Sequence, residues 1–242
     1  DRDVTGVQTC ALPIYPAEAF AVNAVGALRL AKACGVARVR LVHMSTNYVF
    51  GRPTPTESAL RPYRESDLPA PLNVLGASKL AGEHLVEAHC PDAVIIRTAA
   101  LYGVAACQGR SSDRNFVENM IHLAKVRQPM PIKVIDDIVT TPTSTAALAA
   151  QVRLLAEKGE RGLYHATCNG ACSWFEFAAA IFEETGLTPT LIRARTVDFQ
   201  TPVMRPSYSV LENARARAQG LDIMPHWRDA LRDYLRIRVA KG

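Results

Sequence analysis

The sequence predicts an α/β protein built on a largely parallel sheet. Three observations carry that expectation. Strand-like segments alternate with helix-length amphipathic segments along most of the chain, the pattern of strands crossed by helices. The composition is that of an ordinary globular chain, 242 residues with 48% hydrophobic and 21% charged side chains and mean hydropathy of +0.01. There are no internal repeats and no low-complexity tract. The length is ample for a core and accommodates one or two domains.

The regular pattern begins at Tyr15. "PAEAFAVNAVGALRLAKACG" (16–35) predicts a helix, with Pro16 suited to its first turn and Gly35 to its C-cap. Phe20, Ala24, Ala27, Leu28 and Ala31 fall near one face of it. "VARVRLVHMST" (36–46) predicts a strand whose continuous apolar stretch lies toward its end. A long loop rich in Pro, Ser and Thr follows (47–71), then a helix over 72–90 and a strand over 93–98. The alternation continues with a helix over 114–126, a strand over 132–135, a helix over 144–159 and a strand over 162–167. A helix over 173–186 precedes a short strand near 190–194, and two helices close the chain, over about 211–219 and 226–238. These later elements depart from strict alternation, which predicts a smaller C-terminal region appended to the sheet.

The net charge is +5 and the sequence pI about 9.0, with much of the arginine in the last thirty residues. A solvated face of terminal helices explains this better than a nucleic-acid surface, because no aromatic-interleaved basic motif accompanies it. Cys10, Cys34, Cys90, Cys107, Cys168 and Cys172 form no CxxC pair and lack zinc-site spacing. Reduced thiols in a cytoplasmic protein are the simplest reading. No apolar run approaches the ~18–20 residues of a membrane span, so no membrane partner is expected. "VTGVQTCALPI" (4–14) resembles the translation of a sequencing adapter, and it lacks the basic and apolar regions of a signal peptide. Residues 1–14 are therefore expected to be a scar on a fragment of a longer protein.

Three features could carry chemistry. "MSTNYVFG" places Ser45, Thr46, Asn47 and Tyr48 where a strand ends, and parallel sheets bind ligands beyond their carboxyl ends. Lys79 lies on the next helix, four residues after Leu75 and so on the same face. "RTAALYG" (97–103) follows the next strand. A Tyr–Lys pair at the 75/79 spacing has a clear rationale. A free phenol titrates near ~10, and an adjacent ammonium lowers that value toward a useful acid. A hydroxyl such as that of Thr46 can donate to a carbonyl oxygen that gains charge. Together such groups reduce a ketone with hydride.

The stretch "STNYVFG", continued by "ESDLPAPLNVLGASKLAGE", resembles the extended short-chain dehydrogenase/reductase superfamily, and within it the dTDP-4-dehydrorhamnose reductase family. "AFAVNAVGALRLAKAC", "RNFVENMIHLA", "VIDDIVTTPT", "GLYHATCNGACSWFEFAAAIF" and "RPSYSVLENARARAQGL" extend the likeness over roughly residues 15–237. The resemblance implies the C-terminal part of a Rossmann-like doubly wound parallel sheet over 15–105. It also implies a small α/β sugar-nucleotide region over 106–242, interleaved with that sheet. It implies NADPH or NADH as cofactor, a dTDP-sugar as partner, and a homodimer as a compatible assembly.

Residue by residue, Thr46 matches the family's catalytic hydroxyl and Lys79 the lysine that holds the nicotinamide ribose. Leu75 stands at the position of the catalytic tyrosine and has no transferable proton. Ser45 and Arg97 are assigned to the cofactor side. Asn47 (for the usual Asp), Tyr48, Asn115, Phe116 and Arg205 are assigned to the substrate. Asn23 matches a helix asparagine of the wider superfamily, with a structural role equally open. Trp174 reads as core, and Ala100 replaces a tryptophan that several members hold against the sugar. Tyr48, Tyr63 and Tyr102 are the candidates for a substitute proton donor. No GxxGxxG turn occurs, so weak cofactor binding, an unpaired strand edge and aggregation are expected of the chain alone. The alternative implied by Leu75 is a non-catalytic sugar-nucleotide-binding or regulatory protein, like the regulatory subunit of methionine adenosyltransferase.

Overall fold

The computed structural model describes residues 15–51, 61–105, 114–127, 129–199 and 203–240. The expectation for residues 1–14 lies outside the described residues. Three parallel strands, β1 (Val42–Thr46), β2 (Val94–Thr98) and β7 (Gly162–His165), form the main sheet in the order β1-β2-β7. Thr46 pairs in register with Thr98, so β1 and β2 end level, and Arg97 lies between Ser45 and His165.

The period of two along β2 sorts its side chains onto two covered faces. Ile95 packs with Ala27, Ala31, Val86 and Cys90 under α2 (Ala27–Ala37) and α3 (Val74–His89). Val94 and Ile96 pack with Leu148, Leu155, Tyr164 and Ala216 under α5 (Thr145–Lys158) and α7 (Ala214–Ala218). Because β7, α5 and α7 lie late in the chain, residues beyond 105 help to build the main sheet layer.

The first helix runs from α1 (Pro16–Phe20) through a π turn (Ala21–Gly26) into α2. It passes Gly35, the expected cap, and ends on Arg38 in the left-handed region (φ 53°). Gly35 has another use: a Cβ there would sit 2.5 Å from the His89 carbonyl oxygen, so glycine lets α2 cross the end of α3. The longer helix takes residues from the expected strand, which shrinks to β1. By length and hydropathy alone (22 residues, 1.3) Pro16–Ala37 is long and apolar enough to cross a membrane. It nevertheless packs on α3 through an alanine face, with Ala19, Ala24, Ala27 and Ala31 buried.

The second region holds the largest core. β4 (Ile132–Ile135) pairs parallel with β9 (Leu191–Ala194). Around them α4 (Phe116–Val126), α6 (Trp174–Thr185) and α8 (Trp227–Ala240) bury Met120, Ile135, Phe177, Ile181 and Leu231 together. Ser173 and Glu176 form a capping box at the start of α6. Four strands of two residues escaped sequence reading: β3 (Leu101–Tyr102) with β6 (Thr143–Ser144), and β5 (Val139–Thr140) with β8 (Cys172–Ser173). Two residues carry no period to read. The C-terminal arginines Arg215, Arg217, Arg228, Arg232, Arg236 and Arg238 each meet a carboxylate at the solvated surface.

Candidate active site

Thr46 closes β1 in an extended conformation and caps the 3-10 turn Asn47–Val49. Its Oγ1 accepts the Tyr48 N–H at 3.2 Å and donates to Asn47 Oδ1 at 3.3 Å. Asn47 is buried, and its Nδ2 donates to Ser209 Oγ at 2.8 Å and to the Ser209 carbonyl at 3.3 Å. Its amide therefore ties the strand end to the 207–210 segment. Tyr48 is half-buried on that turn.

α3 starts beside the same turn. Asn73 caps it, accepting the Gly76 N–H at 3.0 Å, and its Nδ2 donates to the Met204 carbonyl at 3.0 Å. A Cβ at Gly76 would lie 2.0 Å from the Tyr48 carbonyl oxygen, so only glycine permits this approach. Leu75 is thereby brought next to the Thr46–Tyr48 turn. One helical turn on, Lys79 is half-buried and its Nζ donates to the Met44 carbonyl at 3.2 Å. Leu41 O accepts from Val94 N across the β1–β2 ladder. Alternation along that ladder turns the Met44 carbonyl to the open edge of β1. The ammonium thus reaches the backbone of β1 two residues before Thr46, which ends that strand. Burial lowers the Lys79 pKa, and the Glu83 carboxylate opposes that shift. Burial, then the Lys79 charge, lowers the His43 pKa.

Ser45 and Arg97 are buried, with their polar atoms turned to Glu83. Arg97 donates to Glu83 from Nε (2.9 and 3.2 Å) and from Nη2 (2.6 Å), and Ser45 Oγ donates to the same carboxylate. Arg97 Nη1 is left buried and without a hydrogen-bond partner among the described residues. Asn115 and Phe116 are buried too. Asn115 caps α4, accepting from Glu118 N, and donates to the Gly103 carbonyl at 2.7 Å and to Tyr234 Oη at 3.1 Å. Phe116 stacks in the core on Phe177, beside Trp174. Asn23, in the π turn, donates to Ser78 Oγ at 3.0 Å, so it braces the Lys79 helix. Arg205 is half-buried, with Nε and Nη1 buried and lacking hydrogen-bond partners among the described residues. It adjoins Met204, whose carbonyl is bound to the first turn of α3.

The alternative proton donors fare unequally. Tyr102 is buried against Phe177 and Tyr234, and burial drives its phenol above the usual range. Tyr63 stacks flat on Phe50 at 4.3 Å. Tyr48 alone of the three lies on the Thr46 turn. Ala100, at the tryptophan position, has φ 46°. Ala100→Gly relieves a left-handed alanine and is expected to raise unfolding stability by roughly 1 kcal/mol, read from urea denaturation. A loss of stability would show that the alanine methyl packs better than its backbone suffers.

Sequence reading missed Glu83 and His165. Glu83 follows Lys79 by four residues on α3, and that spacing was the available signal. His165 is buried with Nδ1 facing the Tyr63 and Glu212 carbonyls, both at 3.1 Å. Burial first, then the Arg97 charge, pushes its pKa down to about 3. Its folded pKa lies below the unfolded one, so between roughly pH 6.5 and pH 3 the unfolded chain binds a proton that the folded chain refuses. Stability falls as pH drops through that window. Denaturant titrations at pH 7 and pH 5 should differ by about 2 kcal/mol from this group, and His165→Gln should flatten the difference by that amount.

The chain matches the family described as RmlD substrate binding domain over residues 13–239. The spore coat polysaccharide biosynthesis protein SpsK of Bacillus subtilis is 39% identical over 224 residues, which is 91% of this chain and 72% of that protein. A dTDP-4-dehydrorhamnose reductase of Mycolicibacterium smegmatis is 40% identical over 220 residues, 90% of this chain and 64% of the relative. The crystal structure of dTDP-4-dehydrorhamnose reductase from Bacillus anthracis in complex with NADP superposes with a TM-score of 0.84 at 32% identity, covering 96% of this chain and 77% of that one. The Rossmann-like architecture agrees with these likenesses. The chain belongs to the dTDP-4-dehydrorhamnose reductase family.

Proposed function

We propose that this chain carries the reaction site of an NAD(P)H-dependent reductase acting on the 4-keto group of a dTDP-4-dehydro-6-deoxy-L-hexulose, in the cytoplasmic synthesis of dTDP-L-rhamnose. The observation that carries this reading is the approach of Lys79 to the β1 backbone two residues before Thr46, with Leu75 on the preceding helical turn. Residues 15–105 serve the nicotinamide nucleotide and residues 106–242 the sugar nucleotide, with β7, α5 and α7 returned to the sheet.

The chain's own groups fit such ligands in part. The Lys79 ammonium gives one bond to Met44 and retains donors for ribose hydroxyls. When bound, the reduced nicotinamide supplies the hydride. Thr46 Oγ1 donates to the ketone oxygen as charge develops there, giving up its long bond to Asn47. Lys79 adds positive charge on the same side. Leu75 supplies no proton, so protonation of the product oxygen falls to water or to Tyr48. The unpartnered nitrogens of Arg205 suit a phosphate of the sugar nucleotide. The Glu83 cluster engages the Ser45 hydroxyl and Arg97 Nε and Nη2, which leaves Arg97 Nη1 as the donor on the cofactor side.

Leu75 favours a second reading, a protein that binds the sugar nucleotide without turning it over. Calorimetry with dTDP tests the part shared by both readings. Arg205→Ala should weaken dTDP binding at least tenfold, the worth of a charged hydrogen bond of about 1.5–3 kcal/mol. Equal affinities for the two proteins would remove Arg205 from the site.

A further inference from the structure

Glu83 occupies an unusual place. It lies one turn beyond Lys79 on α3 and is 4% exposed. Its carboxylate receives Arg97 through both Nε and Nη2, and Ser45 through its hydroxyl. Ser45 and Arg97 are register partners on β1 and β2, each one residue before the strand ends at Thr46 and Thr98. A single side chain therefore pins the lysine helix to both strand ends. Arg97 also lies over the Phe50 ring, 5.0 Å from its centroid, which restrains the guanidinium from the far side. The charges bearing on Lys79 are few: Glu83 from its own helix, and His43 from β1, whose pKa is itself lowered. Arg97, from β2, is turned to Glu83.

We propose that Glu83 is a positioning residue for the reductase site: held by Arg97 and Ser45, it fixes the Lys79 turn against the Thr46 strand end and places the counter-charge that keeps Lys79 an ammonium. Its importance for catalysis rests on the reading of Lys79 given above, but the arrangement itself does not. Arg97 and Ser45 thereby become parts of the frame behind the site. The logic is electrostatic. Burial disfavours a charged lysine, and a carboxylate one helical turn away offsets that cost. Arg97 neutralises Glu83 overall yet cannot replace it, because a cation beside Lys79 would push the ammonium the other way.

The test is made on the whole chain and needs no turnover. Competitive acetylation across a pH series, read by mass spectrometry, gives the titration midpoint of Lys79 beside that of exposed Lys158. Glu83→Gln should lower the Lys79 midpoint and leave Lys158 unmoved, whereas Glu83→Asp, which keeps the charge, should hold Lys79 near its original value. If Glu83→Gln does not fold, the pair Glu83→Gln with Arg97→Met removes both buried charges and should show a smaller fall in the same direction, because no unpaired cation is left behind. A Lys79 midpoint unchanged in the folded Gln protein, or lowered equally by Asp, overturns the proposal. Failure of the reductase reading would show separately, as absent NADPH oxidation with these midpoints still behaving as described.

Discussion

Leu75→Tyr is expected to raise NADPH oxidation with dTDP-4-dehydrorhamnose by about 10²–10⁴-fold, the usual worth of a positioned general acid. The comparison belongs in a chimera that adds the segment by which the relatives are longer, since the chain spans 64% to 77% of the relatives compared above. The position is ready for the substitution. Leu75 is half-buried on the first turn of α3, one turn before Lys79, and Gly76 holds that turn against Tyr48. A phenol there would lie within the field of the Lys79 ammonium, which favours proton release. Equal rates for leucine and tyrosine would show that protonation is not limiting or comes from elsewhere. In that case Tyr48→Phe becomes the informative change.

The second large effect concerns stability. Arg97→Met leaves the Glu83 carboxylate buried with only the Ser45 hydroxyl, and both partners of the ion pair are almost fully excluded from water (4% and 5% side-chain exposure). Breaking one side of such a pair costs about 3–5 kcal/mol, a large part of a typical domain's stability of ~5–15 kcal/mol. Adding Glu83→Gln should recover much of the loss, because no uncompensated charge remains. Equilibrium urea unfolding of the two proteins measures both numbers. A loss below 1 kcal/mol for Arg97→Met would mean that water or backbone reaches Glu83 in the variant.

The long elements were legible because their periods are long enough to count. α3, α5 and α6 match the sequence expectation to within two residues at each end, as does β2. The early boundary at Gly35 failed for a definite reason. That glycine answers a neighbour, the end of α3, and helix termination happens three residues later on Arg38. The site divides in the same way. The strand end of Thr46 and the helix of Lys79 could be read because each lies in a local pattern with known geometry. The bonds of Ser45 and Arg97 to Glu83 could not be read, because that partner lies 38 and 14 residues away in the chain. Phe116 shares that limit. The Asn115 cap on Glu118 N is local and was legible as a helix start, whereas the core place of Phe116 becomes visible only when α4 is seen against α6 and α8.

One contact of Lys79 links the outer rim of the sheet to the chemistry. The Met44 carbonyl it holds is a vacant rung on the β1 side of the ladder, and the ammonium blunts that rung as a lysine gatekeeper blunts any bare strand. A strand arriving alongside β1 would claim the oxygen for its own amide.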